Sequence, residues 1–268
     1  SFRCVLVHMT CMWNYTSLGL NPYYAIDEDS WRLHLGAHVD WVTGNNSGID
    51  VAPDIRAEYI FSDSYILYLN AQGGRQVNDY RMLSRISPYW GIGQQLDATY
   101  VPLDATLGFK ASPASGLWFN VFGGYQIRKH ELFCTLVPAG QFVYTGFVQD
   151  KGKIGYGGAE VKYGYKDYFD ASVKGVYYGW TTKHDDDAIA AMKPEMELNF
   201  KVDAKVMEGL KLRLGYDYVK RKGEDVDPVS NLSVGATYAL LKDISIFVDV
   251  NNLLNKQYYY EGGYPAEK

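Results

Sequence analysis

The stretch Trp31–Thr43 alternates without a break. Trp31, Leu33, Leu35, Ala37, Val39 and Trp41 fall on one side, and Arg32, His34, Gly36, His38 and Asp40 on the other. Successive side chains of a strand point to opposite faces, so this segment carries one apolar face and one charged face. A Trp closes the apolar face at each end, ten residues apart. At about 3.3 Å per residue and a tilt of about 40°, ten residues rise roughly 25 Å, the height of the apolar band of a membrane barrel with an aromatic girdle at each interface.

The pattern recurs along most of the 268 residues. Aromatics make up 15% of the chain, with 24 Tyr, as strands and barrel interfaces favour. Mean hydropathy is −0.24 and no apolar run approaches the ~18 residues a spanning helix needs. A barrel is invisible to such averages because only every second residue faces lipid. The net charge of −5, with no basic stripe to neutralise phosphates, argues against nucleic acid as a partner. Cys4, Cys11 and Cys134 are odd in number and lack metal-ligand spacing, so they read as buried or lipid-facing thiols. Cys4 and Cys11 are too far apart on one strand to bridge without a bend. The start Ser1-Phe2-Arg3 is not an initiator Met and lacks signal-peptide features, so the chain reads as a mature protein or as a piece of a longer one, the second being favoured.

The layout is one repeating hairpin in a single barrel domain over residues 1–268. Ile55–Phe61 turns at Ser62-Asp63-Ser64 into Tyr65–Ala71, and Leu103–Phe109 turns at Ser112-Pro113-Ala114-Ser115 into Leu117–Ile127. Ala159–Tyr165 turns at Lys166-Asp167 into Phe169–Gly179, Met196–Val206 turns at Glu208-Gly209 into Leu210–Tyr218, and Leu232–Leu240 turns at Lys242-Asp243 into Ile244–Val250. Gly, Pro, Asp and Ser supply the turn geometry. The other connections, Gly44–Ile49, Val77–Gln95, Lys129–Lys151, Thr181–Lys193 and Lys222–Pro228, are longer and more polar. Short turns at one end and long loops at the other are the asymmetry of an outer-membrane barrel. Gln141–Gln149 looks like a strand, but counting it as a spanning strand would move the Lys166-Asp167 turn to the loop side. It is therefore read as a strand extension within the loop, which leaves about 13 spanning strands.

Faces stay coherent. Met196, Leu198, Phe200, Val202, Ala204 and Val206 alternate with Glu195, Glu197, Asn199, Lys201, Asp203 and Lys205, and Leu210, Leu212, Leu214, Tyr216 and Tyr218 alternate with Lys211, Arg213, Gly215 and Asp217. A soluble sandwich would pack its apolar faces together and present its charges to solvent. That reading predicts a protein soluble and monomeric without detergent. Strands of roughly 10–13 residues, above the soluble mode of about 5–6, favour the membrane.

Asn252-Leu253-Leu254-Asn255-Lys256-Gln257-Tyr258, after the alternating Phe247–Asn251, resembles a signature of TonB-dependent receptors, which place Asn-Leu-Phe-Asp/Asn-Lys-x-Tyr in the penultimate barrel strand; Leu254 stands where Phe is usual. Tyr259–Ala266 and Tyr15–Tyr24 look like the Bacteroidota-type variant. The resemblance implies an outer-membrane receptor of a Gram-negative bacterium. TonB and a plug or surface lipoprotein would be its partners, and it would take up a nutrient such as a metal chelate, oligosaccharide or peptide. The family's plug and TonB box are not recognisable here, its barrel has roughly 22 strands, and its final aromatic-ended strand does not follow Pro265. The chain thus resembles the C-terminal part of such a barrel, or a smaller subgroup without a full plug. Two free strand edges are not tolerated in lipid, so more chain or a partner is expected to complete it.

Arg32, His34, His38 and Asp40 share the inward face and read as a lumen-lining polar network. His34 and His38 lie about 13 Å apart along the strand, too far for one metal. Asp185, Asp186 and Asp187 after His184 lack the alternating ligands and Gly of a calcium loop and read as solvated charge. The richest ligand candidates are Tyr80, Arg81, Arg85, Tyr89 and Trp90, on one long loop; aromatic planes beside polar groups suit sugars and other amphipathic ligands. No Gly-x-Ser-x-Gly, His-Glu-x-x-His or phosphate-binding Gly loop occurs. Gly73-Gly74, Gly123-Gly124 and Gly157-Gly158 lie within strands and read as bends or close backbone approaches. The expectation is a receptor or transporter barrel, not an enzyme, with no cofactor or bound metal. A passive or structural barrel without TonB coupling is the alternative, beside the soluble β-protein.

Overall fold

The computed structural model describes residues 6–12, 15–44, 48–91, 93–94, 96–183, 190–223, 226–241 and 243–265. Its elements are β1 (Leu6–Met12), β2 (Tyr15–Asn21), β3 (Tyr23–Asp27), β4 (Trp31–Gly44), β5 (Gly48–Ser62), β6 (Tyr65–Gln76), α1 (Tyr80–Ile86), β7 (Thr99–Ala114), β8 (Leu117–Ala139), β9 (Phe142–Tyr165), β10 (Phe169–Thr182), β11 (Pro194–Met207), β12 (Leu210–Arg221), β13 (Val229–Leu241) and β14 (Ile244–Val250). They form one antiparallel up-and-down sheet in sequence order, with β1 and β14 at its edges. β2 and β3 pair with β4 in one continuous register, Leu20 with Val39 and Tyr23 with Gly36. Pro22, which has no N–H to give the ladder, merely interrupts a single long strand. Among the described residues the sheet therefore holds thirteen strands, in line with the count of about 13 read from the sequence.

The register carries the two faces around the sheet. Trp31 pairs with Tyr59, Leu35 with Ile55 and Trp41 with Ile49; Leu69 pairs with Leu107, Phe109 with Val121, Val173 with both Val161 and Phe200, and Tyr216 with both Phe200 and Leu232. On β4–β14 this outward face holds no charged residue until the loop end, where Lys153, Lys220 and Glu195 appear. Trp31 and Trp41 are both 54% exposed, and Leu107, Val121, Ile246 and Val248 are exposed beside them. Aromatics gather at the turn end: Trp31 lies 4.4 Å from Tyr59, Tyr59 lies 4.5 Å from Phe61, and Tyr65 stacks on Phe109 at 6.1 Å. The sequence placed Glu195 inward. The bulge between Pro194 and Met196 turns it outward, where it meets Lys220 Nζ at 2.8 Å and accepts from the Tyr177 hydroxyl at 3.2 Å.

The opposite face is concave, because its side chains reach across an intervening strand. Tyr68 on β6 donates to Asn120 on β8 at 3.1 Å, Tyr156 on β9 donates to Asp104 on β7 at 2.8 Å, and Lys110 on β7 reaches Glu58 on β5 at 3.4 Å. Glycines make this possible. Tyr68 lies opposite Gly108, and Tyr156 opposite Gly124. A Cβ at either glycine would collide with the tyrosine ring. Each ring therefore lies flat over its glycine and delivers its hydroxyl to the strand beyond, an aromatic covering a strand glycine. Gly74 sits at a register shift with φ 134, a bend of the kind expected there.

Turns fall where expected among the described residues, which leave out Lys242, except that β7 runs on to Ala114 and turns at Ser115-Gly116. Lys129–Lys151 is not a loop. β8 and β9 stay paired to Ala139 and Phe142, a two-stranded ribbon rising past a bulge at Arg128/Glu131, so Gln141–Gln149 is the strand extension that loop parity required.

Lys in place of Leu198, on the outward face, should cost about 2–4 kcal/mol at mid-membrane depth and block folding into lipid vesicles. Lys in place of inward Asn199, beside Asp217, should fold like the parent. The heat-modifiable band on a gel measures both; equal folding of the two variants would overturn the face assignment.

Candidate functional site

The concave face and the loop end above it hold the polar and aromatic groups. The four residues expected to line the lumen all lie on the concave face, each with a different partner. Arg32 pairs with Asp27 at 3.3 Å and Glu58 at 3.7 Å. His34 meets Asp54 at 2.9 Å and stacks on Tyr23 at 4.7 Å. His38 meets Asn21 at 2.7 Å, and Asp40 accepts the Arg75 N–H at 3.3 Å. They form a polar lining rather than a converging ligand set. Among the described residues no three His, Cys, Asp or Glu side chains come together as a metal site. His184 and Asp185–Asp187 lie outside the described residues, as does Cys4.

Further along, a cavity of ≈ 340 Å³ is bounded by Asp104, Gln126, Tyr156, Tyr178, Trp180 and Lys193. Gln126 donates to Asp104 at 2.8 Å and Tyr178 to Glu197 at 3.1 Å. At its loop-side rim Lys193 donates to Glu131 and to Glu261, both at 2.9 Å, and Arg128 donates to Glu131 at 2.9 Å. Burial pushes the Glu131 carboxyl up, but Lys193 and Arg128 outweigh this and hold it below the usual carboxylate range. Burial pulls the Lys193 ammonium down, and Glu261 and Glu131 more than restore it.

Glu261 belongs to a tail, residues 251–265, that the sequence did not foresee as a structural unit. β14 ends at Val250, so the Asn-rich motif is a turn after the strand, not strand itself. Asn252 and Asn255 adopt φ 54 and 48, which Asn tolerates better than most residues. The Asn252 side chain accepts the Lys256 N–H at 3.2 Å and donates to the Lys256 carbonyl at 3.1 Å. The tail then crosses the loop ends of the barrel wall. Arg221 donates to the Tyr259 carbonyl at 3.2 Å, and Thr145 donates to the Gly262 carbonyl at 2.6 Å.

Thr145 is where three segments meet. Its hydroxyl also bonds Ser87 at 2.7 Å, its N–H donates to the Tyr89 carbonyl at 2.9 Å, and its carbonyl accepts the Gly91 N–H at 3.1 Å. Below it, Leu83 of α1 packs with Leu132, Cys134 and Phe147 of the ribbon, flanked by Met82, Ile86, Trp90 and Leu96. Asp79 caps α1 by accepting the Met82 N–H at 2.8 Å.

This packing divides the loop residues expected to touch ligand. Tyr80 and Trp90 stay together, rings 5.6 Å apart, with the Trp90 indole donating to Ser84 at 3.2 Å. Arg81 and Arg85 point to solvent from α1. Tyr89 instead joins Tyr264 of the tail at 5.6 Å, and Tyr264 stacks on Tyr260 at 4.8 Å. A second cavity of ≈ 680 Å³ opens there, walled by Tyr89, Tyr144, Tyr264, Leu136, Val143 and Pro265. Sequence reasoning reached Tyr89 but missed Tyr144 and Tyr264. Tyr258-Tyr259-Tyr260 and Tyr264 on a non-strand segment were the signal that could have found the tail's share.

Neither a protein-family model nor a curated protein sequence matches the chain. Solved structures do share its fold. The copper transporter OprC superposes with TM-score 0.64 at 14% identity, over 92% of this chain and 43% of that one. The ferric enterobactin receptor PfeA of Pseudomonas aeruginosa, as its G324V mutant, gives 0.65 at 15% identity, over 93% and 41%. The ferric-catecholate import receptor Fiu of E. coli K12 gives 0.64 at 12% identity, over 94% and 43%. The likeness is one of fold, and the chain spans about two fifths of the length of these proteins.

Burial pushes the Cys134 thiol up to about 12. Cys134, read by mass spectrometry of its own peptide apart from Cys4 and Cys11, should therefore resist alkylation by iodoacetamide at pH 8 and react only once the protein unfolds; rapid labelling of Cys134 in the native protein would show that the cluster over it opens. Lys193→Met should strip the tail's anchor, costing about 1–3 kcal/mol of local stability, because Glu261 loses its cation while Glu131 keeps Arg128. The readout is faster amide exchange at residues 259–262 with the strands unchanged. In the parent, Glu131's lowered pKa makes its contribution full above 4.5 and lost as the pH falls below it; Lys193's raised pKa makes its contribution full below 10.5 and lost as the pH rises above it. Tail protection should thus be flat through neutral pH and fall at both extremes.

Proposed function

We propose that this chain is barrel wall of an outer-membrane receptor that takes up a nutrient, with TonB as its energy-coupling partner. The observation that carries the reading is the outward face: a single sheet whose register aligns uncharged side chains across every strand from β4 to β14, up to the loop end. A second sheet would have to cover that face in water; lipid covers it without one. The proteins that share its fold, receptors and a transporter, support the same direction. The localisation that follows is the outer membrane of a Gram-negative bacterium, with residues 1–268 serving as one barrel domain.

In this reading Arg32, His34, His38 and Asp40 line the lumen, where a plug domain would sit. Tyr80, Arg81, Arg85, Tyr89 and Trp90 stand on the extracellular side and meet ligand, alone or with a surface lipoprotein.

Cell fractionation tests the location, and the gene tests the coupling. The protein should sediment with the outer membrane, its gene should encode a plug and TonB box upstream of Ser1, and ligand uptake should stop when TonB is deleted. A gene without plug and TonB box would move the reading to a passive or structural barrel. A protein soluble without detergent would overturn it altogether.

A further inference from the structure

The cavity at Thr145 differs in character from the polar concave face. No charged side chain lines it. Three tyrosines arrive from three segments, Tyr89 from the loop after α1, Tyr144 from the ribbon and Tyr264 from the tail. Among the described residues none of their hydroxyls has a hydrogen-bond partner within the protein. Two glycines keep the walls close: Gly91 abuts the Tyr144 ring, and Gly263, at φ 77, abuts Leu136. The volume of ≈ 680 Å³ lies within the roughly 300–1,000 Å³ of small-molecule clefts. The polar groups that build the site are already spent on each other, Thr145 with Ser87 and with the Gly262 carbonyl.

The geometry points to a binding site for an uncharged oligosaccharide in this cradle, an assignment that rests on the receptor reading above. Aromatic faces take up the apolar C–H faces of sugar rings, and free phenol groups can both donate to and accept from ring hydroxyls. An anionic chelate finds no cation here, and burying its charge against Leu136, Val143 and Pro265 would be costly. Arg81 and Arg85 stand on α1 and are not part of this wall.

The test uses the detergent-solubilised full protein and tryptophan fluorescence, with the signal of Trp90, which adjoins Tyr89 and Gly91, set apart from the other five Trp by difference against Trp90→Phe. The probes are maltoheptaose and cellohexaose as neutral oligosaccharides, and oligogalacturonate as the anionic control. At least one neutral probe should give saturable quenching. Tyr89→Ala should weaken it about tenfold, since this exposed side chain is not needed for folding. Tyr264→Phe, which keeps the stack on Tyr260, should weaken it less. Quenching by oligogalacturonate alone, by no probe, or by neutral probes equally in the parent and Tyr89→Ala would overturn the assignment. Fractionation of the same cells separates the two readings. Outer-membrane protein that fails the sugar test sinks the cradle only, whereas protein found outside that membrane sinks the receptor reading.

Discussion

The period of two along every strand is the constraint on which the rest depends. A slip of one residue at any ladder would carry charges such as Lys174 or Asp203 onto the outward face and take Val173 or Val202 off it. In lipid that error is prohibitive, because a charge near the midplane costs about 2–4 kcal/mol and no water is available to relieve it. Thirteen strands therefore share a single solution. Several bulges occur near strand ends, at Ile60/Ser62, Ala111/Ala114, Pro194/Met196 and Lys205/Met207, where a displaced side chain such as Glu195 meets other polar groups.

With the outer face fixed, the inner face has to satisfy the charges it receives. It does so by geometry special to a concave sheet. Rings of Tyr68 and Tyr156 lie over Gly108 and Gly124, and their hydroxyls cross to Asn120 and Asp104. Each such bridge ties strands that share no ladder. It adds curvature-dependent contacts to a sheet that otherwise knows only its immediate neighbours. Gly in a strand interior is ordinarily a weakness; here it is the seat of a ring.

The strands, their faces, the hairpin turns and even the non-spanning extension at Gln141–Gln149 were legible because each follows from alternation and loop parity. Glu195 was misread because one bulge residue shifts the phase, and nothing local in Pro194-Glu195-Met196 announces it. The partners of Tyr68 and Tyr156 were out of reach for another reason: they lie two strands away, and alternation says which face a residue takes but not whose side chain it meets. The candidate site was half legible. The loop after β6 stood out by its aromatics, but its division into Tyr80–Trp90 and Tyr89–Tyr264 depends on a tail far later in the sequence, a contact no local pattern encodes.

The tail and the loop have a common physical cause. Inside the barrel wall each strand has two neighbours and an environment that suits its outward face. Above the bulge at Arg128/Glu131 the β8–β9 ribbon loses both, yet its residues remain apolar: Leu132, Cys134, Leu136, Val143 and Phe147. An isolated two-stranded ribbon is marginal in water, so it must be covered by other chain. α1 covers Leu132, Cys134 and Phe147, and the 260–265 turn reaches Leu136 and Thr145. Neither cover extends over the whole ribbon, and the cavity opens where the two meet. A concavity at that junction is thus a consequence of how the ribbon is stabilised, and the tyrosines that cover it also equip it with the aromatic surface a ligand would meet.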